Sequence, residues 1–173
     1  MSDRFAHHLR LDQVRDGDRL DLVADEAERS AIARRFRLDG LDRLEAHVTL
    51  GRDGPMVRAE GRLVASLDQS CVVTGDPVAA HVDEPFALVF LPEPPAGGPD
   101  EEIELQPDDC DVIFYDGSAI DLGDAVADTL ALSLDPYPRS AGAEAALKEA
   151  GVMSEGEAGP FAVLAKLRKS DEP

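Results

Sequence analysis

Tryptophan is absent from these 173 residues, and aromatic residues make up only 5% of the chain. A core must therefore come from Leu, Val and Ala, and a base-stacking platform built on interleaved aromatics is not indicated. Only two cysteines are present, Cys71 and Cys110, which excludes a disulfide scaffold. No apolar run approaches the roughly 20 residues that a membrane helix needs, and the first ten residues lack the apolar stretch of a signal peptide. Basic residues are scarce and unevenly placed. The formal net charge is −19, from 17 basic and 36 acidic residues. Residues 1–70 hold 12 arginines against 14 acids, a net of −2, and residues 71–173 hold 5 basic against 22 acidic residues, a net of −17. Neither Lys nor Arg occurs from Cys71 to Pro138. A phosphate backbone is repelled by that second half, so any direct RNA contact is expected from the arginines of the first. A cytoplasmic protein with two free thiols and no membrane attachment is the expected class.

What is present is a patterned globular sequence with 43% hydrophobic residues. The clearest segment runs over residues 120–139, IDLGDAVADTLALSLDPYPR. Asp121 is placed to cap a helix, and Asp124 stands three residues on, where a capping-box acid belongs. Leu122, Val126, Leu130 and Leu134 recur every fourth residue and predict one apolar face. Asp135-Pro136 stops the helix, because proline cannot continue it and the residue before proline avoids the α region. Upstream, residues 10–23 read as strand, turn and strand around Asp16-Gly17-Asp18. Asp25 is expected to cap a helix over Glu26–Phe36 with Ala27, Ile32, Ala33 and Phe36 available for burial. Residues 41–50 and 56–67 alternate at period two around the turn Arg52-Asp53-Gly54-Pro55 and predict a hairpin. Residues 79–91 and 111–115 are two further strands.

The expected fold class is α+β. The sheet is expected to be antiparallel, of about five to seven strands, with strong curvature or a barrel-like form among the options, and packed with two or three helices. Residues 1–139 are read as one domain, interrupted at 92–109 by a mobile acidic loop rich in proline and glycine. Residues 140–173 form a tail with short helices, the last over 161–169.

Residues 120–139 are also where the chain resembles the YceD family, bacterial proteins described as needed for the accumulation of large-subunit ribosomal RNA. Three other features fit. Cys71 follows a long alternating strand in LVASLDQSCVVTGDPV, a later strand ends in Phe90-Leu91-Pro92, and Gly159-Pro160-Phe161-Ala162-Val163-Leu164 is similar to the family's closing apolar helix. The resemblance runs in order over roughly the whole chain and implies a role more than a mechanism. Many members carry Cys-x-x-Cys at the strand end and a further cysteine cluster near the C-terminus. Here the position three after Cys71 is Thr74, and the C-terminal tail has no cysteine, so no metal is expected.

Arg34, Arg35 and Arg37, at and just past the end of the first helix, and Arg58 and Arg62, on an exposed strand face, are the expected RNA contacts. The alternative is structural: cations suit a helix C-terminus, and strand arginines pair with neighbouring acids. Asp121, Leu122, Gly123, Tyr137 and Arg139 form the expected partner-docking element, with Tyr137 held between two prolines. Asp121, Asp124 and Asp128 share helical spacing, and they read as helix-start and solvated residues in preference to a cation site. His7, His8, His47 and His81 lack metal-ligand spacing with either cysteine. With no Gly-rich phosphate loop, no G-x-S-x-G, no H-E-x-x-H and no Cys-x-x-Cys, neither catalysis nor a cofactor is expected. The expected function is a non-enzymatic factor that promotes large-subunit ribosomal RNA accumulation or processing and ribosome assembly, by binding rRNA or a pre-ribosomal particle. The alternative is an acidic module or chaperone for a basic ribosomal protein.

Overall fold

Strict alternation in two neighbouring segments builds the centre of the molecule, described by a computed structural model over residues 5–93 and 111–152. Strand β3 (Gly40–Asp53) and strand β4 (Met56–Ser70) pair antiparallel in a long hairpin. The tip carries Gly54 at φ +57°, a conformation that glycine reaches without steric cost. Because side chains alternate across a strand, Leu44, Ala46, Val48 and Leu50 of β3 are buried beside Val57, Ala59, Leu63, Ala65 and Leu67 of β4. Burial of each such Leu or Val contributes roughly 1.5–3 kcal/mol.

Strands β2 (Arg19–Val23), β5 (Pro77–Pro92) and β6 (Val112–Tyr115) extend this hairpin into a five-stranded sheet ordered β2-β3-β4-β5-β6. The expectation of an all-antiparallel sheet is corrected here: β6 runs parallel to β5, in register from Val89↔Val112 to Pro92↔Tyr115. A parallel partner needs a crossover of about a dozen residues or more, and the chain between Pro92 and Val112 is long enough to supply one. The expected loop at 92–109 and the closing helix at 161–169 lie almost entirely and entirely, respectively, outside the described residues. The curved or barrel-like option is corrected as well. Among the described residues the sheet is open, since β2 and β6 end the order without pairing. The strand that could have extended it, β1 (His8–Arg10), pairs antiparallel with β7 (Ala119–Asp121) in a separate two-stranded sheet.

Helix α1 (Glu26–Phe36) starts where Asp25 accepts from the Glu28 N–H at 2.8 Å and Glu28 returns a bond to the Asp25 N–H at 2.8 Å. This reciprocal box satisfies two orphan helix-end donors. The helix ends at Arg37, whose φ of +56° is the left-handed C-cap conformation. Of the four residues expected to bury, Ile32 is buried, Ala33 and Phe36 are partly so, and Ala27 is exposed. Helix α2 (Leu122–Leu132) presents the expected apolar face: Leu122, Val126 and Leu130 are fully buried. It stops two residues before the expected end, with Ser133 as C-cap and the Ser133 hydroxyl bonded back to Thr129 O at 3.0 Å. Gln69, the buried polar residue of this core, donates from Nε2 to Asp135 O at 2.9 Å.

The chain divides into two compact units: Met1–Gln69 with Ala79–Pro136, and Ser70–Val78 with Tyr137–Pro173. The first holds the sheet, α1 and α2. In the second, the turn after β4 is closed by Cys71 N to Asp76 O (2.8 Å) and Gly75 N to Cys71 O (2.9 Å), and Val72 N reaches Pro138 O at 2.9 Å. Helix α3 (Ala143–Glu149) belongs to this unit and buries Ala143. No helix among the described residues is long and apolar enough to cross a membrane.

Candidate functional surface

Alternation that buries one face of the sheet leaves the other to polar side chains, and on it basic side chains meet acids. Arg62 Nε lies 2.5 Å from Asp83 Oδ1, Arg43 lies 2.7 Å from Glu45, and His47 Nδ1 lies 2.6 Å from Asp21. Arg62 holds the Asp83 carboxyl below its ordinary range by a direct hydrogen bond, and Arg43 does the same to Glu45. These pairs are exposed, so water and salt screen them and they add little to stability.

The five arginines expected at RNA separate into different surroundings. Arg35 pairs with two acids of α2, Asp124 at 2.6 Å and Asp128 at 2.7 Å, and its guanidinium lies 4.9 Å from the centroid of the Phe36 ring. Arg35 thereby joins α1 to α2, which accounts for Asp124 and Asp128 without a cation. Arg62 is compensated by Asp83. Arg34, Arg37 and Arg58 are exposed, and Arg37 and Arg58 make no side-chain hydrogen bond or ion pair among the described residues. The long-range partners of Arg35 carried no local signal, since 89 and 93 residues separate them from it.

The docking element divides in the same way. Asp121 caps α2, accepting from Asp124 N at 3.1 Å and also from His7 N at 3.1 Å. Leu122 donates from its N–H to His7 O at 3.0 Å, and its side chain is fully buried. Gly123 lies under the N-terminal segment so closely that a Cβ there would stand 2.5 Å from Phe5 O and 2.8 Å from His7 N. Asp121, Leu122 and Gly123 therefore share one local duty, holding residues 5–8 against the start of α2. In the second unit, Tyr137 is 71% exposed and Arg139 is exposed.

Cys71 is buried. Its Sγ accepts from Ser140 N at 3.2 Å and from Thr74 N at 3.5 Å. Donors aimed at sulfur favour the thiolate. Ser140, through its side chain and then its backbone, and next Thr74 pull the Cys71 pKa down to about 6, against an opposing contribution from burial. Because the folded value is depressed, the stabilisation from the thiolate is fully present above the unfolded thiol pKa of about 8.5 and is lost as pH falls through the folded value. In a Cys110→Ser background, the thiolate ultraviolet absorbance is expected to titrate with a midpoint near the value of about 6. A midpoint at the ordinary thiol value of about 8.5 would contradict the geometry. Among the described residues no group of three or more His, Cys, Asp or Glu is placed to hold a metal ion.

No curated protein and no solved structure matches the chain. The family model described as large ribosomal RNA subunit accumulation protein YceD matches residues 59–168. That span is shorter than the full-length resemblance. It takes in most of β4 and then β5, β6, β7, α2 and α3, and it leaves out α1 with Arg34, Arg35 and Arg37, together with Arg58. With well over half of its length matched, the chain belongs to the YceD family, and membership implies a role in the accumulation of large-subunit ribosomal RNA.

Proposed function

We propose that this protein is a non-enzymatic factor of the bacterial cytoplasm that promotes accumulation or processing of large-subunit ribosomal RNA and ribosome assembly, by binding that RNA or a pre-ribosomal particle. The observation that carries the reading is the family match over residues 59–168. On this reading all five arginines supply phosphate contacts, Arg37 and Arg58 most directly, with Arg35 and Arg62 contributing less because each first has to leave an acid. Phosphate contacts position a protein on RNA without reading sequence, and they make binding salt-dependent. Tyr137 and Arg139 serve as partner anchors, while Asp121, Leu122 and Gly123 act within the first unit by keeping the start of α2 in place.

The second reading is an acidic module or chaperone for a basic ribosomal protein. It is favoured by the absence of Lys and Arg from Cys71 to Pro138. Complementary charge would then set specificity and on-rate.

A tagged pull-down split into nuclease-treated and untreated halves separates the two. Enrichment of large-subunit rRNA precursors in the untreated half, with proteins lost on nuclease treatment, is the result expected from direct or particle binding. Basic proteins that persist after nuclease, with no enriched RNA, support the second reading. For direct contact, replacing Arg37 and Arg58 together with alanine is expected to reduce the salt slope of RNA binding by about two, one for each arginine withdrawn from a phosphate. Binding unchanged after all five arginines are replaced by alanine would remove direct contact through them.

A further inference from the structure

We propose that an open apolar cleft in the first unit is a docking site for a basic, aliphatic-rich polypeptide segment of a protein partner. The cleft has a volume of about 640 Å³ and is lined by residues of β4, of β5 and of the last turn of α2, together with Asp111 just before β6. This size suits a few side chains of an extended or helical segment, within the ~300–1,000 Å³ typical of binding pockets. Phe86 forms the apolar floor beside Gly61, and Leu132 is 78% exposed. An aliphatic side chain seated between Leu132 and the half-buried Phe86 would remove apolar surface of both from water.

The charge around the cleft selects the rest of the ligand. Glu60, Glu84 and Asp111 line it, and no basic residue does. None of these three carboxylates makes a side-chain hydrogen bond or ion pair among the described residues. The last turn of α2 also lacks a basic residue, so the partial negative charge at its C-terminus has no counter-ion on the helix itself. Every charged side chain that lines the cleft thus has one sign. An apolar segment without cations would cover carboxylates and leave them unpaired. An RNA strand would bring phosphates against them. A segment that alternates aliphatic side chains with Lys or Arg satisfies both demands. The inference does not rest on RNA contact through the first-half arginines: Glu60, Glu84, Asp111 and Leu132 are different residues from those five.

The test is fluorescence anisotropy on the full-length protein with a labelled synthetic peptide that alternates Leu with Lys and Arg. Two control peptides replace all Leu by Ser, or all Lys and Arg by Glu. Saturable binding of the first peptide alone, weakening with added salt, is expected. Leu132→Ser and the triple variant Glu60→Gln/Glu84→Gln/Asp111→Asn are each expected to weaken it by about fivefold or more, the equivalent of roughly 1 kcal/mol. Glu149→Gln, an exposed acid outside the cleft, is expected to leave affinity unchanged. All substituted side chains are exposed, and circular dichroism is the check that each variant folds. Equal binding of the Ser-substituted peptide, equal losses in every variant including Glu149→Gln, or no binding at millimolar peptide overturns the proposal. Displacement of the peptide by a single-stranded RNA oligonucleotide in the wild type but not in the triple variant would reassign the cleft to nucleic acid.

Discussion

Leu122→Ala is expected to cost about 3–4 kcal/mol of folding stability, a large share of the 5–15 kcal/mol typical of a whole domain. Leu122 is fully buried, and Ile120, Val126 and Leu130 are buried at 1% exposure or less in the same core. Truncation removes the transfer free energy of the lost methyl groups and opens a cavity that a rigid sheet-and-helix packing closes only in part. The position also sits at the first turn of α2, where its N–H holds the N-terminal segment through His7 O. The backbone bond survives the substitution, but the helix start it depends on loosens. Urea unfolding monitored by far-ultraviolet circular dichroism should show a lower midpoint with an unchanged slope. Leu132→Ala, on the same helix but 78% exposed, is expected to cost under about 1 kcal/mol. Comparable losses at the two positions would contradict the burial assigned to Leu122.

Gly61→Ala is expected to cost about 3 kcal/mol, the upper end of the range for forcing a side chain into space already occupied. Gly61 pairs with Val48 in the β3–β4 ladder. A Cβ there would overlap the carbonyl oxygen of His47 and lie 3.1 Å from Phe86 Cζ. The first obstacle is backbone, held by the register of the ladder, so relief requires the strands themselves to shift. Phe86 can turn aside at less cost, but it forms the floor of the proposed cleft, so its movement would be read as weaker peptide binding. The measurement is the same denaturant titration, with hydrogen exchange on β3 and β4 to locate the disturbance. A loss below about 0.5 kcal/mol would show that the glycine is only a tolerated small residue.

These two positions differ in how much of their role is written locally. Leu122 belongs to a four-residue repeat behind a capping aspartate, a pattern set by helical geometry and therefore visible in one dimension. Gly61 lies in an alternating run as one more apolar position, and nothing in its neighbours announces that a carbonyl and a ring approach it from other strands. The same division runs through the charged residues. The Asp25 cap is legible because helix capping is a local event over three residues. The double pairing of Arg35 with Asp124 and Asp128 is not, because strands β3 to β7 separate α1 from α2 in the chain. The cleft is of the second kind as well: Glu60, Glu84, Asp111 and Leu132 come from four separate places in the chain.

The sequence by itself determined the strands of the hairpin, the two principal helices, the buried face of α2, the split of charge at Cys71, and the family. Each of these depends on residue identity and spacing over at most a few turns or strands, or on composition. Only the tertiary structure decided that β6 runs parallel to β5, that β1 leaves the main sheet to pair with β7, and that the sheet stays open. It also decided which arginines are already compensated and why Gly61 and Gly123 have no side chain. Strand pairing, ion pairing and close packing join residues that are distant in the chain. Many partners satisfy the same local pattern, and the choice among them is made by the packing of the whole core.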